Sequence, residues 1–414
     1  MSFTRLWESL LPVGLDAGTG GYRRYSWTPA DLACRDWFAA AAAERGLPAA
    51  SDRNGNLWAW WMPPGQDAPE ADEPAPAGTV ATGSHLDSVP DGGAFDGPLG
   101  IVSAFAAIDL LRERGYQPAR PVAVAAFTEE EGARFGVACL GSRLASGAIT
   151  PEAARELRDG AGVTLAQAMT EAGADPGGLG PDPGLLDGLA AYVELHIEQG
   201  SALAGLDAAV GIGEGIWPHG RWRVEFTGRA DHAGTTRLAD RHDPMLPYAA
   251  VVLAARQAAT AHHGLATVGK VVAEPGGANA ICSVVRAWLD ARAPDEATLE
   301  SLIAQVSAAA EVAAAEHHVS VEVRRESFTP LVSFDAGLGE RIGKVLGVQT
   351  GGDVPVLPTG AGHDAGVLAA RLPTAMLFVR NPSGVSHSPA EVAHLADCQA
   401  GVTALAAVLA DLAA

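Results

Sequence analysis

The chain has 414 residues, enough for two domains and an ample core, so folding needs no disulfide or metal staple. Apolar residues make up 48% and charged ones 19%, which excludes a disordered chain. The 28 Lys and Arg against 49 Asp and Glu leave a net charge of −21, which repels nucleic acid and anionic membrane surfaces, so a folded enzyme or binding protein remains.

The opening MSFTRLWESLLPVG lacks a basic segment followed by an apolar one, and no apolar run is read as reaching the roughly 18–20 residues of a membrane span. Cys34, Cys139, Cys282 and Cys398 have no CxxC spacing, so they are read as reduced and mostly buried, and the cytoplasm is the expected compartment. Residues 29–46 read as a helix, 52–61 as the first strand, entered through the turn Asp52-Arg53-Asn54-Gly55, and the Pro-, Ala- and acid-rich 63–78 as a surface loop. Strand 79–84, helix 100–114 and strand 121–127 then alternate, which is the pattern of an open α/β sheet. A second pattern follows, with strand 221–228, helix 244–263, strands 266–273 and 283–292, helix 296–317 and strand 319–325. That order, βαββαβ, is the ferredoxin-like unit. Strand 374–379 and a closing helix at 390–412 resume the first pattern. The chain is therefore predicted to be an α/β catalytic domain, residues 1–214 and 328–414, interrupted by a ferredoxin-like insert at 215–327.

The chemistry-bearing residues gather where strands end, the edge at which open α/β sheets place their sites. His85 ends a strand, and Asp87 is placed to accept the ring N–H that a metal-bound imidazole turns away from the ion. Asp96 lies in a turn with Gly92, Gly93 and Gly97 that permits close approach to an ion; alone, the segment could be a polar strand-to-loop junction. Glu129, Glu130 and Glu131 follow the next strand and repel one another unless a cation or a proton intervenes. One of them can hold a cation while its neighbour acts as a general base, or all three can be a solvated acidic cap on a helix. His196 and His387 lie at or after strand ends, and the set His85, Asp96, one of the three glutamates, His196 and His387 suits two borderline ions such as zinc bridged by the aspartate.

These motifs, in this order, resemble the family of allantoate amidohydrolase, N-carbamoyl-L-amino acid hydrolase and β-ureidopropionase, relatives of the dizinc aminoacylases and carboxypeptidases, over nearly the whole chain. The resemblance implies a dizinc-exopeptidase-like fold whose insert is a dimerisation and lid domain. It places His85, Asp96 and His196 on one ion and Asp96, Glu131 and His387 on the other, with zinc first and manganese, cobalt or nickel as alternatives. Glu130 matches the general base, and His232, within Asp231-His232-Ala233-Gly234-Thr235-Thr236, matches a histidine that stabilises the tetrahedral intermediate across a homodimer. Asn279 and Arg292 match a pair that grips the substrate carboxylate, Gln199 a substrate contact, and Gly360 to Ala365 an active-site loop in which His363 backs a metal ligand or faces substrate.

Three places depart from the family pattern: Thr359, Arg237-Leu238 and Arg380-Asn381. Arg380 follows a strand seven residues before His387, and the expectation is that it reads a second acidic group on the substrate, with an internal salt bridge as the alternative. The implied function is hydrolysis of a C–N bond in a small carboxylate, allantoate or an N-carbamoyl-L-amino acid. The alternatives are an N-formyl or N-formimino amino acid, a dipeptide or acylated amino acid, or ligand binding without turnover.

Overall fold

The computed structural model describes residues 3–70 and 73–414. The described chain forms two compact units, one made of residues up to 215 together with 333–414, the other of 216–332. The insert so defined starts one residue later than expected and ends five later, because its last strand runs Ser320–Thr329 rather than stopping at 325.

The first unit is built on a nine-stranded sheet. Across it the strands run Ala49–Ser51, Leu57–Trp61, Val122–Phe127, Thr79–His85, Leu189–Ile197, Thr374–Val379, Val210–Ile216 and Val332–Ser333, with Val356–Thr359 beside Val210–Ile216. The four central strands, Val122–Phe127 to Thr374–Val379, are mutually parallel. Sequences such as VAVAAF are apolar on both faces because helices cover both faces of the sheet. Pro98–Glu113 and the closing helix Leu395–Leu412 pack together in the main core with Phe105, Leu195, Val379 and Leu405. The short helices Leu140–Ser146 and Asp364–Leu368 pack against each other and against these central strands.

Three readings need correction. The first strand is Ala49–Ser51, ahead of the expected one: the turn at 52–55 forms as expected, the buried Asp52 carboxylate accepting the N–H groups of Asn54 and Asn56 and the side chains of Asn56 and Trp58, but it folds the chain into a hairpin of Ala49–Ser51 and Leu57–Trp61. The closing helix starts at Leu395 instead of residue 390. It is also long and apolar enough to cross a membrane by length and composition, against the expectation that no run reaches that length. Its apolar residues, Val402, Leu405, Val408 and Leu409 among them, are buried within the unit.

The second unit is a four-stranded antiparallel sheet in the order Ser320–Thr329, His219–Thr227, Val284–Arg292, Leu265–Glu274. Numbered by chain position within the insert this is 4-1-3-2, the ferredoxin-like arrangement. Helices Met245–Ala261 and Glu296–Glu316 complete its own core around Trp222, Phe226, Leu289 and Leu302.

Candidate metal centre and active site

The parallel strands deliver their C-terminal ends to one edge of the sheet, and the candidate residues emerge there. His85 is the last residue of Thr79–His85, His196 the last but one of Leu189–Ile197, and Glu129, Glu130 and Glu131 follow Val122–Phe127. Asp96 sits at their centre, almost fully buried. Its Oδ1 lies 3.5 Å from His85 Nε2 and 3.2 Å from His196 Nε2. Its Oδ2 lies 3.3 Å from His387 Nε2, which is 3.4 Å from Glu131 Oε2. Bonds of about 2.0–2.2 Å to a tetrahedral ion set neighbouring ligand atoms about 3.3–3.6 Å apart, so both groups have the spacing of a coordination shell.

The tautomers agree. His85 Nδ1 lies 3.2 Å from the Asp87 carbonyl and 3.4 Å from its carboxylate, and His196 Nδ1 lies 2.8 Å from the Ile197 carbonyl. Each Nδ1 therefore carries the proton, and each Nε2 presents a lone pair toward Asp96. Both Nε2 atoms are buried with no hydrogen-bond partner, which a metal ion would supply. The donor set of imidazoles and carboxylates fits a borderline divalent ion. Gly97 is required here, since at its φ of +82° an added Cβ would lie 2.4 Å from the His85 ring.

The charges point the same way. Burial pushes Glu130 well above the usual carboxylate range, against the pull of His85. Burial and then Asp96 push Glu131 up to about 7. Asp96 is held well below its usual range despite burial, through the hydrogen-bonding imidazoles of His196, His387 and His85. So dense a carboxylate cluster calls for positive charge at its centre. His387 is the exposed member and opens the cluster to solvent.

Glu130 Oε2 is 3.6 Å from His85 Nε2, which sets the expected base beside the ligand cluster. Asp87 is buried and takes the backbone N–H groups of Glu130 (3.2 Å) and Glu131 (3.1 Å) as well as facing His85. It therefore fixes His85 and the loop of Glu130 and Glu131 together. Glu129, left without a role by the sequence, accepts the N–H groups of Arg134 and Phe135 and shapes the loop.

Residues 81–411 match the model of peptidase family M20/M25/M40. The chain belongs to that family. The N-carbamoyl-L-amino acid amidohydrolase of Geobacillus stearothermophilus is 38% identical over 97% of this chain and 96% of its own. The allantoate amidohydrolase of Escherichia coli (strain K12) is 31% identical over 95% and 93%. The crystal structure of a hydantoinase/carbamoylase family amidase from Burkholderia ambifaria superposes with a TM-score of 0.84 at 32% identity, covering 100% and 98%. With these relatives, the M20 chain is an amidohydrolase, acting on carbon–nitrogen bonds other than peptide bonds.

Other expected site residues are placed less uniformly. Gln199 Nε2 donates to Asp96 Oδ2 (2.9 Å), at the ligand cluster where it was expected to meet substrate. Gly360 follows the strand Val356–Thr359, and His363 is buried with its ring 4.5 Å from that of His196. Burial and His196 hold His363 well below the usual histidine range, which favours its neutral form beside His196.

Arg380 pairs within the chain, the alternative weighed for it. Its guanidinium grips the buried Asp397 with both ends, Nε to Oδ2 at 3.0 Å and Nη2 to Oδ1 at 2.7 Å, while Nη1 takes Asp207 at 2.9 Å. Two carboxylates already neutralise it, which favours the internal salt bridge over a contact with substrate. Asn381 is buried and accepts the N–H groups of Ser383 and Gly384, shaping the loop that leads to His387.

In the insert, His232 Nδ1 accepts the N–H groups of Gly234 (2.9 Å) and Thr235 (3.1 Å). Its proton is therefore on Nε2, ready to be donated. His232 pairs with Ala280, which brings Asn279 beside it. Arg292, held by Asp290 at 3.0 Å, ends the strand whose first residue, Val284, lies near Asn279. Eight strand steps separate the two ends by about 26 Å. The expected Asn279 and Arg292 pair thus does not meet within one chain.

Sequence reasoning missed Glu194 and Glu391. Glu194 is fully buried, accepting Ser84 Oγ (2.8 Å) and the Ala365 N–H (3.0 Å), and Glu391 holds the Asp96 turn. Glu194 carried a signal, a charge inside the apolar run Val193–Ile197.

Proposed function

We propose that the chain hydrolyses the C–N bond of a small N-carbamoyl or ureido acid, an N-carbamoyl-L-amino acid or allantoate, using two divalent ions, zinc first. The observation that carries this reading is that the two oxygens of Asp96 face separate sets of ligand atoms beside a buried glutamate.

His85, Asp96 and His196 would hold one ion, and Asp96, Glu131 and His387 the other. When bound, the ions polarise the scissile carbonyl and lower the pKa of the attacking water. Glu130 takes the proton from that water and returns it to the leaving nitrogen, a transfer for which its place beside the ligand cluster suits it. Asp87 keeps His85 and Glu130 in register. His232 donates from Nε2 to the developing oxyanion, while the planar fork of Arg292 and the Asn279 amide bind the carboxylate. The products are ammonia and carbon dioxide together with the amino acid or the shortened ureido acid.

A panel of allantoate, N-carbamoyl, N-formyl and N-formimino amino acids on metal-replete enzyme tests the substrate class. Turnover is expected with the first two, and preference for a formyl or formimino substrate would overturn the choice. Chelation should abolish activity, and added zinc should restore it. Glu130→Gln should keep its metal content yet lose about 10²–10⁴-fold in kcat; more than about a tenth of the activity remaining would remove Glu130 as the base.

A further inference from the structure

The bridging Asp96 stands in a turn with glycines at 92, 93 and 97, a backbone free to take many conformations unless something outside it holds it. Glu391 does so. Its Oε2 accepts the N–H of Phe95 at 2.9 Å and of Asp96 itself at 3.0 Å. Its Oε1 takes Ser386 Oγ at 3.3 Å, and that hydroxyl also lies 3.2 Å from Asp96 Oδ2. Glu391 is 6% exposed, and Gly93 packs flat on it: a Cβ there would lie 2.3 Å from Oε2 and 2.5 Å from the Glu391 Cβ. On the far side of the turn the Phe95 ring stacks on Trp7 at 4.7 Å. Glu391 thus ties the backbone of the bridging ligand to the segment that supplies His387, its neighbour in the second ligand group.

We propose that Glu391 is a positioning residue, a clasp that sets metal affinity by fixing Asp96 and His387 relative to one another; this rests on the two-ion reading above. The oxygens already serve three donors, and Glu391 belongs to neither ligand group, so it acts through other residues. Its part is that of an acceptor, which distinguishes it from a charge. In Glu391→Gln the amide oxygen can keep both backbone N–H groups while the amide nitrogen donates to Ser386 Oγ, whose hydroxyl then turns to Asp96. Glu391→Ala removes all three of these contacts.

The test titrates chelator-stripped protein with Zn²⁺ alone against a colorimetric chelator, with melting of the stripped protein measured alongside. The wild type should take up two equivalents; fewer would overturn the two-ion reading on which the clasp depends. Given two, Glu391→Ala should bind at least one ion about 10–100-fold more weakly, while Glu391→Gln stays within about threefold and the stripped variants melt near the wild type. Wild-type affinity in Glu391→Ala would overturn the clasp with the two-ion reading intact. Equal losses in the Gln and Ala variants would overturn it as well, by assigning the effect to charge. Should Glu391→Ala fail to fold, Gly93→Ala, which displaces the Glu391 side chain, must show the same weakened binding, and unchanged affinity there overturns the proposal.

Discussion

Arg380 and Asp397 form a two-point ion pair in which the carboxylate is buried, so removing the arginine strands a charge away from water. Arg380→Ala is expected to cost about 2–3 kcal/mol in denaturant unfolding. The ratio of kcat/KM for acidic and aliphatic substrates should stay as in the wild type; a collapse of any preference for acidic side chains would return Arg380 to the substrate. At this scale the sequence was readable where chemistry itself is unusual. His85, Asp96, Glu131, His196 and His387 are costly residues to place at strand ends without an ion, and they do converge. A lone arginine carries no such mark, because its partners lie 17 residues later and 173 residues earlier. Glu391 was hidden for the same reason, its three donors being supplied by residues 95, 96 and 386.

Elements were legible in proportion to how strongly periodicity or burial constrains them. The central strands announce themselves as short runs apolar on both faces, and the helix Glu296–Glu316 begins at Asp295, whose carboxylate caps the N–H of Thr298 at 2.7 Å. The stretch between Phe127 and Leu189 was left unassigned because its helices, such as Leu140–Ser146 and Leu165–Glu171, are only two turns long and present little pattern. The closing helix Leu395–Leu412 misleads in the other direction, since a helix apolar enough for a membrane is here a core helix buried against the sheet. Its first residue and a buried one in its middle supply the check. Leu405, fully buried, should cost about 2–4 kcal/mol on replacement by alanine, whereas Leu395, 48% exposed, should change stability by less than about 0.5 kcal/mol. Equal, small effects at both positions would mean that the helix is not part of this core.

For the whole molecule, the insert poses a question that one chain cannot answer. His232 and Asn279 stand beyond one end of the strand Val284–Arg292 and Arg292 at the other, about 26 Å away. One small carboxylate cannot touch both Asn279 and Arg292 of the same chain, so if both bind substrate, two copies must share each site. The insert offers a surface for that pairing: Leu265–Glu274 is an edge strand, with Leu265 and Val271 exposed, and the adjoining helix Met245–Ala261 leaves Leu246 and Leu253 in solvent. An isologous dimer through this strand and helix would cover them. The chain should therefore elute as a dimer, and replacing Leu253 and Val271 with charged residues should give monomers whose activity falls although the metal ligands are untouched. The sharper measurement mixes two inactive proteins, Glu130→Gln and His232→Ala. Random exchange makes half of the dimers hybrids, each with one site that combines an intact Glu130 with an intact His232 from its partner, so activity should recover to about a quarter of wild type. If exchange is verified and no activity returns, His232 serves its own chain's substrate, and sharing through His232 is excluded even if the dimer forms.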